Sequence, residues 1–304
     1  MLSAQAAPAP AASASAAGGD RPSGVEMAGE HAFFFSNSAG LRLYGVVHAA
    51  APGPGRDIGI VFCDPLSEER DHGQRPLVDL ARLLARGGYP TLRFDAAGCG
   101  DSEGELVTAT LPSLLLDVRA AVSELLRRSA VRRVVLVGVR LGALLAQLAA
   151  EADPRVCGLV LVAPVVSGRD YWNGMLRSQQ MACLTRGIKA SKIEELRRTL
   201  AESGRLEIKG EYFGRDLVEE LVTIDLRTRP TPFRGPQLIV GGVDEPPNAG
   251  TTESLVAAAR TAGSEVTSPG ERVGAFWSSK ALYAGYRPGS LYEATLAWCR
   301  GIPP

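Results

Sequence analysis

Apolar residues fall along the chain in two alternating periods. Short continuous runs at Ile58–Cys63, Val134–Val139 and Gly158–Val162 mark strands covered on both faces. Between them, Leu77, Leu80, Leu83 and Leu84, and then Leu114, Val118, Val122, Leu125 and Leu126, recur at helical spacing. The first of these helices is expected over residues 77–86, where Gly87 and Gly88 stop it, and the second over 114–128. Two strands are predicted within residues 31–48, the second partly alternating as in a half-exposed antiparallel strand, and another strand over 90–95. Strand–helix alternation at this spacing predicts a mostly parallel sheet with right-handed crossovers.

The rhythm breaks after Pro164. Residues 165–232 carry helical patterns, clearest over 191–203, and no strong buried strand. An insertion of this kind reads as a helical lid. Strand rhythm returns over 236–242, followed by a helix over 252–261, a short strand at 265–267 and a last helix over 291–300. The core is therefore expected in two pieces, residues 31–164 and 233–304. Residues 1–30 are rich in Ala, Pro, Ser and Gly and cannot bury enough apolar surface to offset ordering entropy, so a disordered tail is expected.

Composition narrows the function classes. Lys+Arg and Asp+Glu both number 33, which argues against general attraction to nucleic acid or an anionic membrane, while leaving room for a local basic site. The five cysteines are scattered without CxxC spacing, which argues against a disulfide framework or zinc site and fits a reducing cytoplasm. No apolar run is long enough to span a membrane. A small-molecule substrate and no cofactor are expected.

The candidate chemistry centres on Gly138-Val139-Arg140-Leu141-Gly142. A buried strand, a sharp turn and a small-residue helix there form the frame of a Gly-x-Ser-x-Gly nucleophile elbow, with arginine in place of serine. With Gly98-Cys99-Gly100-Asp101-Ser102, Pro65-x-x-Glu68-Glu69, Pro164-Val165-Val166-x-Gly168 and Arg177, these motifs resemble the α/β-hydrolase superfamily. The likeness covers residues 31–302. More narrowly, the chain resembles serine-aminopeptidase-type hydrolases, and most of all the second type of exosortase A system-associated hydrolases. The resemblance implies an α/β-hydrolase fold, a bacterial envelope or polymer-secretion context, and an elbow arginine that is a feature of the lineage.

A serine hydrolase needs a nucleophile, a base, an acid and oxyanion donors. Arg140 stays protonated and cannot attack a carbonyl. The loop after the last strand has no histidine. Of His31, His48 and His72, only His72, read as lying in the loop after the 58–63 strand, is expected near the site. Asp244 and Glu245 follow the late strand where the family keeps its acid. The loop Cys63-Asp64-Pro65-Leu66 replaces the usual His-Gly; proline supplies no N–H, which leaves Leu66, Ser67 and the Leu141 N–H as donors. Cys63 with His72 is an alternative nucleophile pair.

A cation at a helix start needs a carboxylate or an anionic ligand, and Glu68 or Glu69 is expected to pair with Arg140. The lid residues Tyr171, Trp172, Met175 and Met181 are expected to line the pocket. Three readings follow: an enzyme that holds an acyl, carbonyl or anionic substrate through Arg140, with Glu68, Glu69 or His72 moving protons; a catalytically dead relative that binds a ligand or protein; and a hydrolase using Cys63 and His72.

Overall fold

The computed structural model describes residues 29–52, 57–229, 232–243 and 251–303. The chain opens with an antiparallel pair, β1 (Glu30–Ser36) and β2 (Arg42–His48), and enters the interior at β3 (Ile58–Cys63). Then come α1 (Ser67–Arg86), β4 (Thr91–Phe94), α2 (Leu111–Arg128), β5 (Arg133–Val139), α3 (Leu141–Ala150) and β6 (Val156–Val162). The next stretch holds α4 (Gly168–Thr185), α5 (Ile193–Ser203), a hairpin of β7 (Arg205–Ile208) and β8 (Glu211–Gly214), and α6 (Arg215–Leu221). The sheet resumes at β9 (Gln237–Val240), followed by α7 (Thr251–Thr261), β10 (Val266–Thr267), α8 (Ser279–Tyr283) and α9 (Gly289–Arg300).

Among the described residues the main sheet has eight strands in the order β1-β2-β4-β3-β5-β6-β9-β10. It is parallel from β4 to β10, with β1 and β2 antiparallel at one edge. Alternation along β5 divides the core. Val134 and Leu136 face one layer with α2 and α3, whereas Val135 and Val137 face the other with α1 and α9. All four are fully buried, each such side chain contributing about 1.5–3 kcal/mol. This two-sided burial is why the central strands read as unbroken apolar runs.

Two sequence expectations change. Helix α1 begins at Ser67, ten residues before its leucine stripe. Its first turns are held by Arg70 and by Gly73, whose α-carbon faces the Phe276 ring, so they carry no apolar period to read. Residues 205–214 form a hairpin where no strand was expected. Its strands alternate exposed and buried positions at Arg205–Ile208, and its tip is Lys209-Gly210, both with positive φ (53° and 98°), as a primed two-residue turn demands.

Candidate active site

Arg140 stands between β5 and α3 with φ 54° and ψ −120°, a conformation that costs a residue with a β-carbon about 1–3 kcal/mol. The turn is enforced by crowding. A β-carbon on Gly138 would lie 2.5 Å from the Ala143 α-carbon, and one on Gly142 only 2.0 Å from the Cys63 carbonyl oxygen. The backbone is pinned as well, with the Arg140 N–H donating to Val162 O (3.0 Å) and the Arg140 carbonyl accepting from Val165 N (3.2 Å).

This turn presents the guanidinium to a cavity of about 590 Å³ bounded by the start of α1, the end of β6, α4 and the hairpin tip. The Arg140 Nε donates to Glu69 Oε1 at 3.0 Å, and Nη1 to the Ala163 carbonyl at 3.4 Å. Glu69 Oε2 accepts from the Tyr171 hydroxyl at 3.1 Å. Burial, and then the Glu69 charge, hold that hydroxyl far above the usual tyrosine range, so it remains a donor. The guanidinium carbon lies 5.7 Å from the Tyr171 ring centre and 5.3 Å from that of Trp277, within cation–π reach. The neighbouring Glu68 pairs with Lys209 at the hairpin tip, and the Lys209 N–H donates to Gln179 Oε1 on α4 at 2.8 Å.

The expected pairing of Arg140 with the Glu68–Glu69 dipeptide is therefore made by Glu69. Leu66, Tyr171 and Met175 also line the cavity. Trp172 packs its ring 5.8 Å from Phe213 and Met181 is exposed outside the cavity lining, so neither side chain forms the wall expected of it; the Leu141 side chain is buried at the start of α3. Helical spacing explains Trp172: Tyr171, Gly174, Met175 and Ser178 share the cavity face of α4, and the next residue after Tyr171 points elsewhere. Asp244 and Glu245 lie outside the described residues.

Behind the first turn of α1 sits a smaller space of about 20 Å³, bordered by Cys63, Asp64, Pro65, Arg70 and Cys99. Arg70 pairs with Asp95, and the turn Gly98–Gly104 closes over them: a β-carbon on Gly100 would lie 2.1 Å from Asp95 Oδ2. Ser102 is structural, its hydroxyl donating to Asp95 O (2.6 Å) and accepting from Tyr44 N (2.9 Å). Burial pushes the Asp64 carboxyl up to about 6, with Arg93 and Arg70 opposing. Cys63 and Asp64 thus face this inner space, not the large cavity.

The Cys63–His72 pair is not assembled. Cys63 is buried and its thiol is pushed well above the usual range by burial, which works against a thiolate. His72 belongs to the second turn of α1, not to a loop, and its Nδ1 is buried without a hydrogen-bond partner. His31 and His48 lie on β1 and β2, as expected.

Sequence reasoning missed Lys209, Asp170 and Ser178 along the cavity wall and Trp277 over the guanidinium, and it singled out Arg177 as a motif residue without placing it in the site. The α4 residues had a readable signal, since they recur at helical spacing around Tyr171. Lys209 and Trp277 meet the site only through tertiary folding. Among the described residues no group of three or more His, Cys, Asp or Glu is placed to hold a metal ion, and no helix is long and apolar enough to cross a membrane.

The serine aminopeptidase (S33) hydrolase family matches residues 71–212. No curated protein matches the sequence. Among solved structures, Est1E from Butyrivibrio proteoclasticus, with ferulic acid bound, is similar at 19% identity and TM-score 0.61, covering 87% of this chain and 98% of that one. DcsB, in complex with its substrate analogue, is similar at 17% identity and TM-score 0.60, covering 90% and 100%. An esterase from Pyrococcus furiosus is similar at 15% identity and TM-score 0.58, covering 89% and 91%. Strand order, the turn at Arg140 and these likenesses converge: the chain has the α/β-hydrolase fold.

Proposed function

We propose that the large cavity is an active site whose chemistry does not pass through a serine acyl-enzyme. Arg140 occupies the position where relatives of this fold carry their nucleophile. A permanent cation with a planar fork of donors suits the recognition of a carboxylate or a polarised carbonyl. Glu69 orients the guanidinium and is the nearest group able to move a proton, with Tyr171 as its hydrogen-bond donor. Residues 165–232 act as the lid, Tyr171 and Met175 giving the substrate an apolar wall. The reactions compatible with this set are water addition, acyl transfer, elimination or cyclisation at a carbonyl compound. Arginine at the elbow and the Glu68-Glu69 dipeptide support kinship with the second type of exosortase A system-associated hydrolases.

The reading is carried by one observation, the Arg140 guanidinium in the cavity floor held by Glu69 at 3.0 Å. Its test is Arg140→Ala. Affinity for an aryl carboxylate probe such as ferulate, measured by titration calorimetry, and turnover across a panel of acyl esters and thioesters should both fall. No adduct should form with a serine-directed phosphonate. Unchanged binding and turnover in the variant would overturn the assignment.

A second reading is a ligand-binding relative without turnover. It is favoured by the pairing of Arg140 with Glu69 and of Lys209 with Glu68, which gives both cations a partner in the ligand-free site. Tight binding that depends on Arg140, with no product from any panel member or from a cell metabolite extract, would select it.

A further inference from the structure

Helix α4 has a second apolar surface at the end remote from Tyr171. Met181, Leu184 and Ile188 are 63%, 60% and 55% exposed. The helix stops in a Schellman turn: Gly187 (φ 70°) donates to Leu184 O at 3.0 Å and Ile188 N donates to Cys183 O at 2.9 Å. This turn folds Ile188 back over the last helical turn, so the three exposed side chains sit at the same end of α4. Residues 181–193 also carry Arg186, Lys189 and Lys192 and no acidic residue; Glu194 and Glu195 follow in the first turn of α5, where Glu195 Oε2 accepts from the Lys192 N–H at 3.0 Å. All three cations are exposed, and none makes an ion pair among the described residues. Other exposed rings are handled differently: Arg42 lies over Phe34 at 5.0 Å and Arg205 over Tyr212 at 4.9 Å.

We infer that this tip docks on the surface of an anionic phospholipid bilayer. Three exposed apolar side chains flanked in sequence by Arg186, Lys189 and Lys192 are the chemistry that the headgroup boundary of such a membrane accepts. The chain as a whole is charge-balanced, so the attraction is local to this tip. Thirteen helical residues separate Leu184 from Tyr171, about 20 Å along the axis, and docking therefore holds the cavity close to the membrane surface. The inference does not depend on what Arg140 does.

The test is co-flotation of the full chain with vesicles of phosphatidylcholine alone and with one third phosphatidylglycerol. Binding is expected to the anionic vesicles only, and to weaken with salt. Arg186→Glu/Lys189→Glu/Lys192→Glu should lose roughly 100-fold in affinity. Met181→Ser/Leu184→Ser/Ile188→Ser should lose about tenfold or more with an unchanged circular dichroism spectrum. Absence of vesicle binding, equal binding to neutral vesicles, or variants that bind like the parent would overturn the proposal. So would a dimer that the serine variant dissolves while no vesicle binding is seen; the tip would then be an interface between copies.

Discussion

Two ionic clusters share the first turn of α1 and have opposite fates. Glu68 and Glu69 face the large cavity, where their partners Lys209 and Arg140 come from the hairpin tip and the β5–α3 turn. Arg70, the next residue, points inward to Asp95, and both side chains are 11% exposed. The outer charges stand beside space that a ligand can fill, whereas the inner pair is enclosed by the Gly98–Gly104 turn and leaves Arg70 Nε and Asp64 Oδ1 without hydrogen-bond partners. Proximity along one helix therefore says little about role. The difference lies in what each charge can exchange its partner for.

Breaking the inner pair gives the sharpest contrast. Arg70→Ala leaves Asp95 buried with its main cation gone and should cost about 3–5 kcal/mol in urea unfolding. Arg140→Ala should cost far less stability, yet lower ligand affinity about 10–100-fold, the worth of a charged hydrogen bond, as read by calorimetry. If the two variants lost stability equally, the division of roles would fail.

The third prediction uses pH. Asp64 titrates near 6 in the folded chain against an ordinary 3.8, because burial disfavours its charge. Between these values the folded state holds a proton that the unfolded chain releases, so this contribution is present at low pH and lost as pH rises through about 6. His48 acts in reverse: burial, then Arg93, lowers it to about 4 from 6.5, and its contribution is lost as pH falls toward 4. The two slopes oppose each other in the wild type. Asp64→Asn should raise stability at pH 7 by about 2 kcal/mol and change little at pH 4, which leaves a protein whose stability falls more steeply on acidification. Thermal unfolding across that range measures it.

The smallest effect belongs to Tyr171→Phe, which removes only the 3.1 Å bond to Glu69. About 1 kcal/mol is expected, seen as a roughly fivefold loss in affinity or turnover with unfolding barely changed.

The sheet was legible because β3, β5 and β6 are covered on both faces and betray themselves by uninterrupted apolar runs. The turn at Arg140 was legible because Gly138 and Gly142 are required there by close backbone approach. Electrostatics gave the Arg140–carboxylate pairing from the cost of an unpaired cation at a helix start. The first ten residues of α1 were not legible, since Arg70 and Gly73 replace the leucine stripe with an ion pair and a ring contact. The 205–214 hairpin had its signal in alternation around Lys209-Gly210, overridden by the helical pattern upstream. The link from Lys209 to Glu68 spans 141 positions and has no local trace, nor does the Trp277 ring over the guanidinium.

The backbone at position 140 carries a measurable signature of its own. At most sites glycine destabilises relative to alanine by enlarging the unfolded ensemble. With φ at 54° and ψ at −120° that ranking should invert: Arg140→Gly should fold better than Arg140→Ala, although both lack the guanidinium. The arginine therefore occupies a site that stability alone would hand to the smallest residue, and the gap between those two variants weighs what the chain forgoes to keep a long side chain aimed at its cleft.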